Sequence, residues 1–411
     1  MSRVGLVLSG GGSRGAYEAG VVRYLREEFP KRLGRHVPLD VITGTSVGAI
    51  NACFLAGTME NLDVQARRIC DAWRSLDLSE VFHVKWRDVW RAGRLLMGAT
   101  PPDAEPGEIR RSGLFNTSGL ERFVVRSIPW RQIAKNLEAG RLHALTVSAT
   151  QVLTGATVVF VDQAGDQLPP AWSRDPRVHA FRTRIGPFHA MASGSIPMLF
   201  PPVQIDGHWY TDGGLRQNTP MSPALRLGAD RLIVISLKHK PPPRAEVEVA
   251  PESDPYLSPL FLFGKALNAL LLDHADYDLD RLRHINSIIE AGVRAYGEDF
   301  VTRMNGEMTG HAPLRYVHTM LLRPSVDIGK IAMDHARRAA PRLGGLARST
   351  LMRLGRAESK READLLSYLF FDGDYAAELI ALGHEDARKL EGEFAAFFNA
   401  ESGVRKVEKS A

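Results

Sequence analysis

Cysteine is nearly absent from this sequence, since only Cys53 and Cys70 occur among 411 residues. Two cysteines are too few for a disulfide framework, and no cysteine and histidine spacing in the chain resembles a zinc site. We expect both thiols to be small buried hydrophobic side chains. The sequence therefore predicts a protein without a metal.

Long apolar runs are also missing, because no uninterrupted stretch reaches the ~18 residues that a membrane-spanning helix needs. The chain passes from Met1 into a strand-like run at residues 4–8 without the apolar core or cleavage site of a secretion signal. We therefore expect a cytoplasmic protein, and any contact with a membrane is expected to be peripheral.

A strong charge of one sign is lacking as well. Lysine and arginine number 52 and aspartate and glutamate 47, which gives a net charge of only +5. The basic residues occur as scattered pairs, such as those at 67–68 and 110–111, without interleaved aromatic residues or a nucleic-acid-binding motif. Nucleic acid is therefore not an expected partner, and the 44% hydrophobic content is that of an ordinary globular protein.

The first half of the chain alternates between strands and helices. A strand at 4–8, a glycine-rich turn and a helix at 16–28 form one unit, and a strand at 39–43 followed by a helix at 49–55 forms another. Residues 142–162 have the pattern of a hairpin. The alternation predicts an α/β domain.

A proline-rich stretch divides the two halves. It includes three consecutive prolines at 241–243 and predicts a linker at 239–259. A catalytic domain at 1–238 and a mostly helical region at 260–404, packed on that domain, are expected on either side. The remaining predicted elements are a short helix at 188–195, strands at 231–237 and 316–322, and longer helices at 260–296 and 375–398.

The G-x-S-x-G pattern occurs at residues 44–48, between a predicted strand and a predicted helix. A serine at such a sharp turn has a strained backbone and a projecting hydroxyl, and the flanking glycines leave room for strand, helix and substrate. The N-terminus of the following helix places its positive dipole end beside the serine. We expect Ser46 to be a nucleophile.

A run of small residues follows the first strand, where residues 10–15 read Gly-Gly-Gly-Ser-Arg-Gly. Their backbone N–H groups can hold an anion because few side chains block its approach. In acyl transfer this anion is the tetrahedral oxyanion, and losing one donor typically costs about 3–4 kcal/mol. We expect Gly11 and Gly12 to be donors, joined by Val47. Arg14 supports the loop or reaches a substrate phosphate, and the sequence leaves both open.

The same glycines permit a different interpretation. Gly10, Gly12 and Gly15 satisfy the G-x-G-x-x-G pattern of dinucleotide-binding proteins. That pattern requires an acidic residue at the end of the second strand, whereas Asp40 lies at its beginning. A nucleotide-binding or scaffold protein therefore remains the alternative from another functional class.

A serine nucleophile needs a base, and Asp-Gly-Gly at 212–214 supplies a carboxylate. Asp212 is a weak base unless it lies close to the hydroxyl in a partly dry site. The same three residues are also a good turn sequence, so this motif depends on the other two for its interpretation.

Together and in this order, the three motifs resemble those of the patatin-like phospholipase family. The resemblance, which covers about residues 4–237, implies a three-layer α/β sandwich with a central, mostly parallel sheet, to which this chain adds a largely helical C-terminal extension. It also implies a Ser46–Asp212 dyad. The segment at 191–202 is similar to a family segment that packs beneath the site. Ser9 departs from the aspartate of many relatives, with little effect expected on the chemistry. The oxyanion-hole motif of the family is matched by Gly10, Gly11, Gly12, Arg14 and Gly15.

An ordinary hydrolase triad would add a histidine after the aspartate. The downstream histidines have no turn or glycine signature and are expected at the surface or in packed positions, and His208 is not expected to take part although it lies close to Asp212 in sequence. Asp212 is therefore expected to act alone. Four such histidines are His239, His274, His284 and His311.

The sequence therefore predicts a lipid acyl hydrolase of the phospholipase A or lysophospholipase type, without metal or organic cofactor. An acyltransferase or thioesterase with the same dyad is the close alternative. Residues 81–97 are either a lid that dips into lipid or a core helix. Residues 261–272 line an acyl channel, form a homo-oligomer contact or are simply buried. The expected partner is a lipid or a membrane-surface substrate.

Overall fold

The computed structural model describes residues 2–76, 118–165, 168, 172, 176–197, 199–239, 275–308, 313–339 and 366–400. The expectations for residues 81–97 and 261–272, and nearly all of the predicted linker, lie outside these residues. Within the described ranges no helix is both long and apolar enough to cross a membrane.

One mixed sheet organises the described part of the chain. Its strands are β1 Val4–Leu8, β2 Val41–Thr45, β3 Ala144–Gln151, β4 Thr157–Gln163, β5 Val178–Arg182, β6 Val203–Ile205, β7 His208–Asp212, β8 Arg231–Ile235 and β9 His318–Leu322. Their order is β5-β4-β3-β2-β1-β8-β9, and a β6–β7 hairpin is attached to β3. The five strands from β3 to β9 along this order run parallel to one another.

The helices of the described ranges flank this sheet and follow its strands in a largely alternating order. They are α1 Ala16–Glu27, α2 Phe29–Leu33, α3 Val47–Gly57, α4 Leu62–Arg74, α5 Ser118–Ser127, α6 Trp130–Glu138, α7 Pro187–Ser193, α8 Met221–Arg226, α9 Ala275–Tyr296, α10 Phe300–Glu307, α11 Ile328–Ala339, α12 Gly373–Lys389 and α13 Glu391–Asn399.

Helices cover both faces of the sheet. Successive side chains of a strand point to opposite faces, and in β1 Leu6 and Leu8 belong to one buried cluster while Val7 belongs to the other. The first cluster includes side chains of α1, α3, α4 and α12, and the second includes those of α8 and α9. Strands buried on both faces explain the continuous apolar runs of β1 and β8. The predicted α/β sandwich with a mostly parallel sheet is confirmed.

The parallel pairing brings two of the sequence motifs to one edge of the sheet. In the register of β1 and β2, Leu8 lies beside Gly44, so the glycine-rich loop and the Ser46 turn leave the sheet side by side. β3 pairs with both β2 and β7, which places Asp212 opposite Ala149 at the end of β7. The carboxyl ends of parallel strands are the usual place for an α/β site.

The C-terminal region is closely joined to this architecture. β9 pairs with β8 and extends the sheet. α12 packs against α1 at van der Waals distance, because a Cβ on Gly20 would lie 2.1 Å from the carbonyl oxygen of Ile380, and one on Gly383 would lie 2.1 Å from that of Tyr17. The domain boundaries given above stay predictions.

The elements predicted in the first half are found within a few residues, including the β3–β4 hairpin and α7. The terminal helix expected at 375–398 was wrong in its extent, since α12 and α13 are separate helices. α12 begins earlier because the Asp372 side chain accepts hydrogen bonds from the amides of Asp374 and Tyr375. At Leu390 the amide bonds to Ala387, a tighter turn that ends α12 without interrupting the apolar pattern.

Candidate active site

Ser46 lies in the turn between β2 and α3, with φ 54° and ψ −126°. A non-glycine residue with positive φ is strained, and such strain persists only where the surroundings enforce it. The flanking glycines make the turn possible. A Cβ on Gly44 would lie 2.2 Å from the carbonyl oxygen of Gly48, and one on Gly48 would lie 2.4 Å from that of Leu8. The G-x-S-x-G pattern is therefore required by close backbone approach on both sides of Ser46.

The backbone of Ser46 is held from below by Ser193. The Ser46 amide donates to the Ser193 hydroxyl at 2.8 Å, and that hydroxyl donates to the carbonyl oxygen of Ser148 at 2.5 Å. Ser193 is the last residue of α7 and is fully buried. The family-like segment at 191–202 pointed to this region, but the sequence did not reveal this role of the hydroxyl.

The hydroxyl of Ser46 donates to the Oδ2 atom of Asp212 at 2.7 Å. The other carboxylate oxygen, Oδ1, accepts the Gly214 amide at 2.6 Å. Ser46 is 4% exposed and Asp212 is 0% exposed. Two groups that are 166 residues apart in sequence therefore form a direct hydrogen bond in a nearly dry environment.

Burial raises the pKa of Asp212 to about 7. The hydrogen bonds from Ser46 and Gly214 act in the opposite direction, because they favour the ionised carboxylate, and they offset only part of the rise. A general base is most effective when its pKa lies near the working pH. A pKa of about 7 thus suits Asp212 better to the predicted role of a base than the pKa of an ordinary aspartate would.

The glycine-rich loop lies against the serine. A Cβ on Gly10 would lie 3.1 Å from the Cβ atom of Ser46. The Gly10 amide donates to the Asn218 carbonyl at 3.0 Å, so this amide is used within the protein. From Gly12 to Gly15 the loop turns as a short 3₁₀ helix.

The amides of Gly11, Gly12 and Val47 have no acceptor within the described residues. These are the amides that the sequence predicted as oxyanion donors. The amide of Val47 is the first of α3, where the helix dipole also favours negative charge. Their function as donors stays a prediction.

Arg14 is buried and turned towards the C-terminal part of the chain. Its Nε atom donates to the Ser367 hydroxyl at 2.8 Å, and its guanidinium lies 4.1 Å from the ring centroid of Tyr368. Of the two interpretations left open by the sequence, this geometry corresponds to support of the loop.

A buried carboxyl group that the sequence analysis missed, that of Glu18, also supports the loop. Glu18 accepts the Ser9 amide at 2.9 Å and the Asn51 side-chain amide at 2.8 Å, and the same Asn51 nitrogen donates to the Gly15 carbonyl at 3.0 Å. Burial raises the pKa of Glu18 to about 8. An acidic residue on the apolar face of a predicted helix was the available signal.

No histidine in the described ranges bonds to Ser46 or Asp212. His208 is exposed on β7, His284 is exposed on α9, and His239 contacts the Pro324 carbonyl at 2.9 Å. His274 and His311 lie outside the described residues. The same ranges hold no cluster of three or more side chains suited to a metal ion.

An apolar cavity of about 400 Å³ is lined by residues that neighbour Ser46 and Asp212 in the fold. Its wall includes Ile50, one turn after Ser46 in α3, and Ser195, whose carbonyl accepts the Asp212 amide at 2.9 Å. Phe200 and Trp209 add aromatic surface. The cavity is large enough for part of a lipid chain, and its wall reaches Ser46 through Ile50 of the same helix turn and Asp212 through Ser195.

The family model for patatin-like phospholipases matches residues 6–225, and the chain belongs to this family. The match includes the glycine-rich loop, the Ser46 turn and Asp212, and it ends before β8.

Three curated relatives match parts of the chain. The chain is 38% identical over 79 residues to the patatin-like phospholipase domain-containing protein ZK370.4 of Caenorhabditis elegans, and 37% identical over 83 residues to the lysophospholipase nte1 of Aspergillus terreus. Each match covers 18% of this chain and 5% of the relative. The lysophospholipase NTE1 of Pyricularia oryzae is 25% identical over 239 residues, which is 57% of this chain and 12% of that protein. The chain thus spans only a small part of the length of these relatives.

Proposed function

We propose that this chain is a lipid acyl hydrolase of the phospholipase A or lysophospholipase type, with Ser46 as nucleophile and Asp212 as its base. One observation carries the proposal: the strained Ser46 donates a 2.7 Å hydrogen bond to a fully buried carboxylate. Family membership and the names of two relatives as lysophospholipases give further support for a lipid ester as substrate.

In the acylation step, the Ser46 oxygen attacks the carbonyl carbon of the ester while its proton passes to Oδ2 of Asp212. The carbonyl oxygen becomes an oxyanion that accepts hydrogen bonds from the amides of Gly11, Gly12 and Val47. When the tetrahedral intermediate collapses, the carbon–oxygen bond to the leaving alcohol breaks and Asp212 returns the proton to that alcohol. The product is an acyl ester on Ser46.

In the deacylation step, a water molecule occupies the place of the departed alcohol. Asp212 accepts a proton from this water, whose oxygen attacks the acyl carbon, and the same amides stabilise the second oxyanion. Collapse breaks the bond to Ser46, and the proton on Asp212 returns to the serine oxygen. The fatty acid leaves and the dyad is restored, without a metal or cofactor in any step.

The apolar cavity supports a fatty acyl chain as the group that is transferred. Its walls are mainly apolar, and its aromatic side chains Phe200 and Trp209 provide contact surface for methylene groups. A cytoplasmic location, peripheral contact with a membrane and a homo-oligomer stay predictions.

The proposal is tested by turnover of a short-chain nitrophenyl ester and of a lysophospholipid by the wild type, Ser46→Ala and Asp212→Asn. We expect both variants to lose at least about 10³-fold in kcat while staying folded. Asp206→Asn is a matched control, because Asp206 is exposed in the β6–β7 turn and Asn tolerates its positive φ. Wild-type turnover that survives in Ser46→Ala would contradict the proposal.

The acceptor is tested in the same assay by adding an alcohol or a thiol. A hydrolase releases mainly the free fatty acid, since water is the acceptor. Acyl transfer to the added alcohol or thiol as the main product would instead identify a transferase that uses the same dyad.

A further inference from the structure

The glycine-rich loop contacts a segment that is more than 350 residues away in sequence. The Ser13 hydroxyl donates to the Ser367 carbonyl at 2.7 Å, and the Arg14 side chain donates to the Ser367 hydroxyl at 2.8 Å. The Arg14 guanidinium also covers the ring of Tyr368 at 4.1 Å. Two consecutive loop residues are thus fixed by two consecutive residues of the C-terminal region.

Gly12 touches the same segment through its backbone. It has φ +58°, and a Cβ at this position would lie 2.1 Å from the Tyr368 carbonyl oxygen. The segment therefore lies directly against the residue whose amide is a predicted oxyanion donor. Ser13, Arg14, Ser367 and Tyr368 are all at most 7% exposed.

Residues 366–372, which we call the C-terminal support, are themselves firmly held. The ring of Phe371 stacks on Trp73 with centroids 6.3 Å apart and an interplanar angle of 7°. Asp372 caps α12 and pairs with His335 at 3.1 Å. The segment is therefore attached to α4, which lies in the region that matches the family, and to the C-terminal helices α11 and α12, and it can act as a fixed wall for the loop.

We propose that the C-terminal support is a positioning element of the active site, in which Ser367 and Tyr368 keep the amides of Gly11 and Gly12 directed at the oxyanion. This inference rests on the proposed function. It assigns a function to a segment that lies outside the family match at residues 6–225. Within the described residues no hydrogen bond joins this segment to Ser46 or Asp212, so its effect is transmitted through the loop.

The effect of losing this support falls on the chemical step. Oxyanion donors act only when the negative charge develops, so a displaced loop weakens transition-state binding more than substrate binding. A misplacement of about 1 Å can cost about 10²-fold in rate. The apolar cavity does not include loop residues, so the affinity for the acyl chain is preserved.

The test compares Ser367→Ala and Tyr368→Ala with wild type. We expect kcat for a nitrophenyl ester to fall roughly 10- to 100-fold in each, with KM changed less than about twofold. Ser367→Thr keeps the hydroxyl and is expected to recover most of the loss.

The control is Asp386→Asn, because Asp386 accepts a hydrogen bond from the Tyr17 hydroxyl at 3.2 Å and anchors α12 without touching the loop. It lowers the thermal stability but leaves kcat within about twofold.

Amide hydrogen exchange of residues 9–15 provides a second readout that does not depend on turnover. We expect faster exchange of this loop in Ser367→Ala and unchanged exchange in Asp386→Asn. If Ser46→Ala abolishes turnover but Ser367→Ala and Tyr368→Ala keep the full kcat, the support is refuted and the proposed function stands. If the wild type hydrolyses no ester, the proposed function fails, and the exchange of the loop alone decides whether the support positions it.

Discussion

The two loops that form the site are held by different parts of the chain. The Ser46 turn is held by Ser193 and Asp212, both inside the region that matches the family. The glycine-rich loop is held on its outer side by Ser367 and Tyr368, far beyond that region. The proposed nucleophile is thus held by residues of the region that matches the family, whereas the loop with the predicted oxyanion donors also contacts the C-terminal region.

A short sequence motif can therefore specify the residues of a site without specifying the distant residues that hold them in place. The strained turn at Ser46 depends on glycines within two residues of it, so the local sequence specifies much of its geometry. On the side that faces Ser367 and Tyr368, the loop at 10–15 is instead held by this segment, which is distant in sequence. The following changes test the two sides separately.

The largest expected effect on stability comes from Asp212→Asn on the nucleophile side. Burial raises the pKa of Asp212 from 3.8 to about 7, so the folded state favours the protonated carboxyl group. The stability that this protonated form gives is fully present below pH 3.8 and is lost as the pH rises through 7. This rise corresponds to about 4 kcal/mol at about 1.4 kcal/mol per pH unit. Asparagine carries no charge at any pH. We therefore expect the variant to be inactive yet more stable than wild type at pH 8.

Urea unfolding at pH 8 and pH 5 measures this effect. The advantage of Asp212→Asn should be as much as about 4 kcal/mol at pH 8 and should fall to less than half of that at pH 5. Equal advantages at the two pH values would contradict a buried carboxyl group with a raised pKa.

Gly12→Ala disturbs the contact between the glycine-rich loop and the C-terminal support. The new Cβ combines a positive φ with a clash against the Tyr368 carbonyl, and we expect a loss of about 2–4 kcal/mol in the free energy of unfolding together with most of the turnover. Gly140→Ala is the matched control, because Gly140 has φ +68° but nothing within 4 Å of a Cβ. It should lose only about 1 kcal/mol and no activity. Similar losses in both variants would show that the C-terminal support does not confine the loop.

Ser193→Ala removes the hydroxyl that holds the Ser46 amide. It leaves the buried Ser46 amide without an acceptor, and we expect a loss of about 1–3 kcal/mol in stability and a decrease of roughly tenfold in kcat. Denaturant unfolding and ester turnover measure the two effects, with Ser222→Ala as a control on α8. A kcat equal to that of wild type would show that the strained turn needs no such contact.

The smallest expected effect lies at the base of the C-terminal support. Burial alone would lower the pKa of His335, but its hydrogen bonds to Asp372 and Glu378 outweigh this and raise the pKa. The stability that these bonds give is present below the usual histidine pKa and is lost as the pH rises through the raised value.

His335→Gln removes this titration. We expect the melting temperature of the variant to lie about 2–4 °C below that of wild type at pH 6, with a smaller gap at pH 9. Thermal unfolding at the two pH values measures the gap. A gap that widens towards pH 9 would contradict the assignment of a protonated His335.

Much of the site could be predicted from sequence because its motifs are local. The turn at Ser46 and the loop at 10–15 each follow a strand directly, and parallel pairing of consecutive strands brings such turns together. The place of Asp212 in the site is harder to predict from sequence, because it depends on the distant pairing of β7 with β3. Family resemblance supplied that link.

The supports of the site could not be predicted, because they are single polar side chains in contacts between distant segments. A serine such as Ser193 or Ser367 has no sequence signature that marks a buried hydroxyl with a specific partner. Glu18 was recognisable only as an acidic residue among apolar neighbours. The division of the terminal helix at Leu390 could not be predicted either, because the apolar pattern continues across this residue.

The central claim is that Asp212 activates Ser46, and it is tested most directly by the rate of phosphonylation with a fluorophosphonate between pH 5 and pH 9. We expect a single adduct on Ser46 in a peptide map, formed at a rate that rises with pH around a pKa of about 7 and falls at least about 10²-fold in Asp212→Asn. An adduct on another residue, or a rate at Ser46 that Asp212→Asn leaves unchanged, would contradict it.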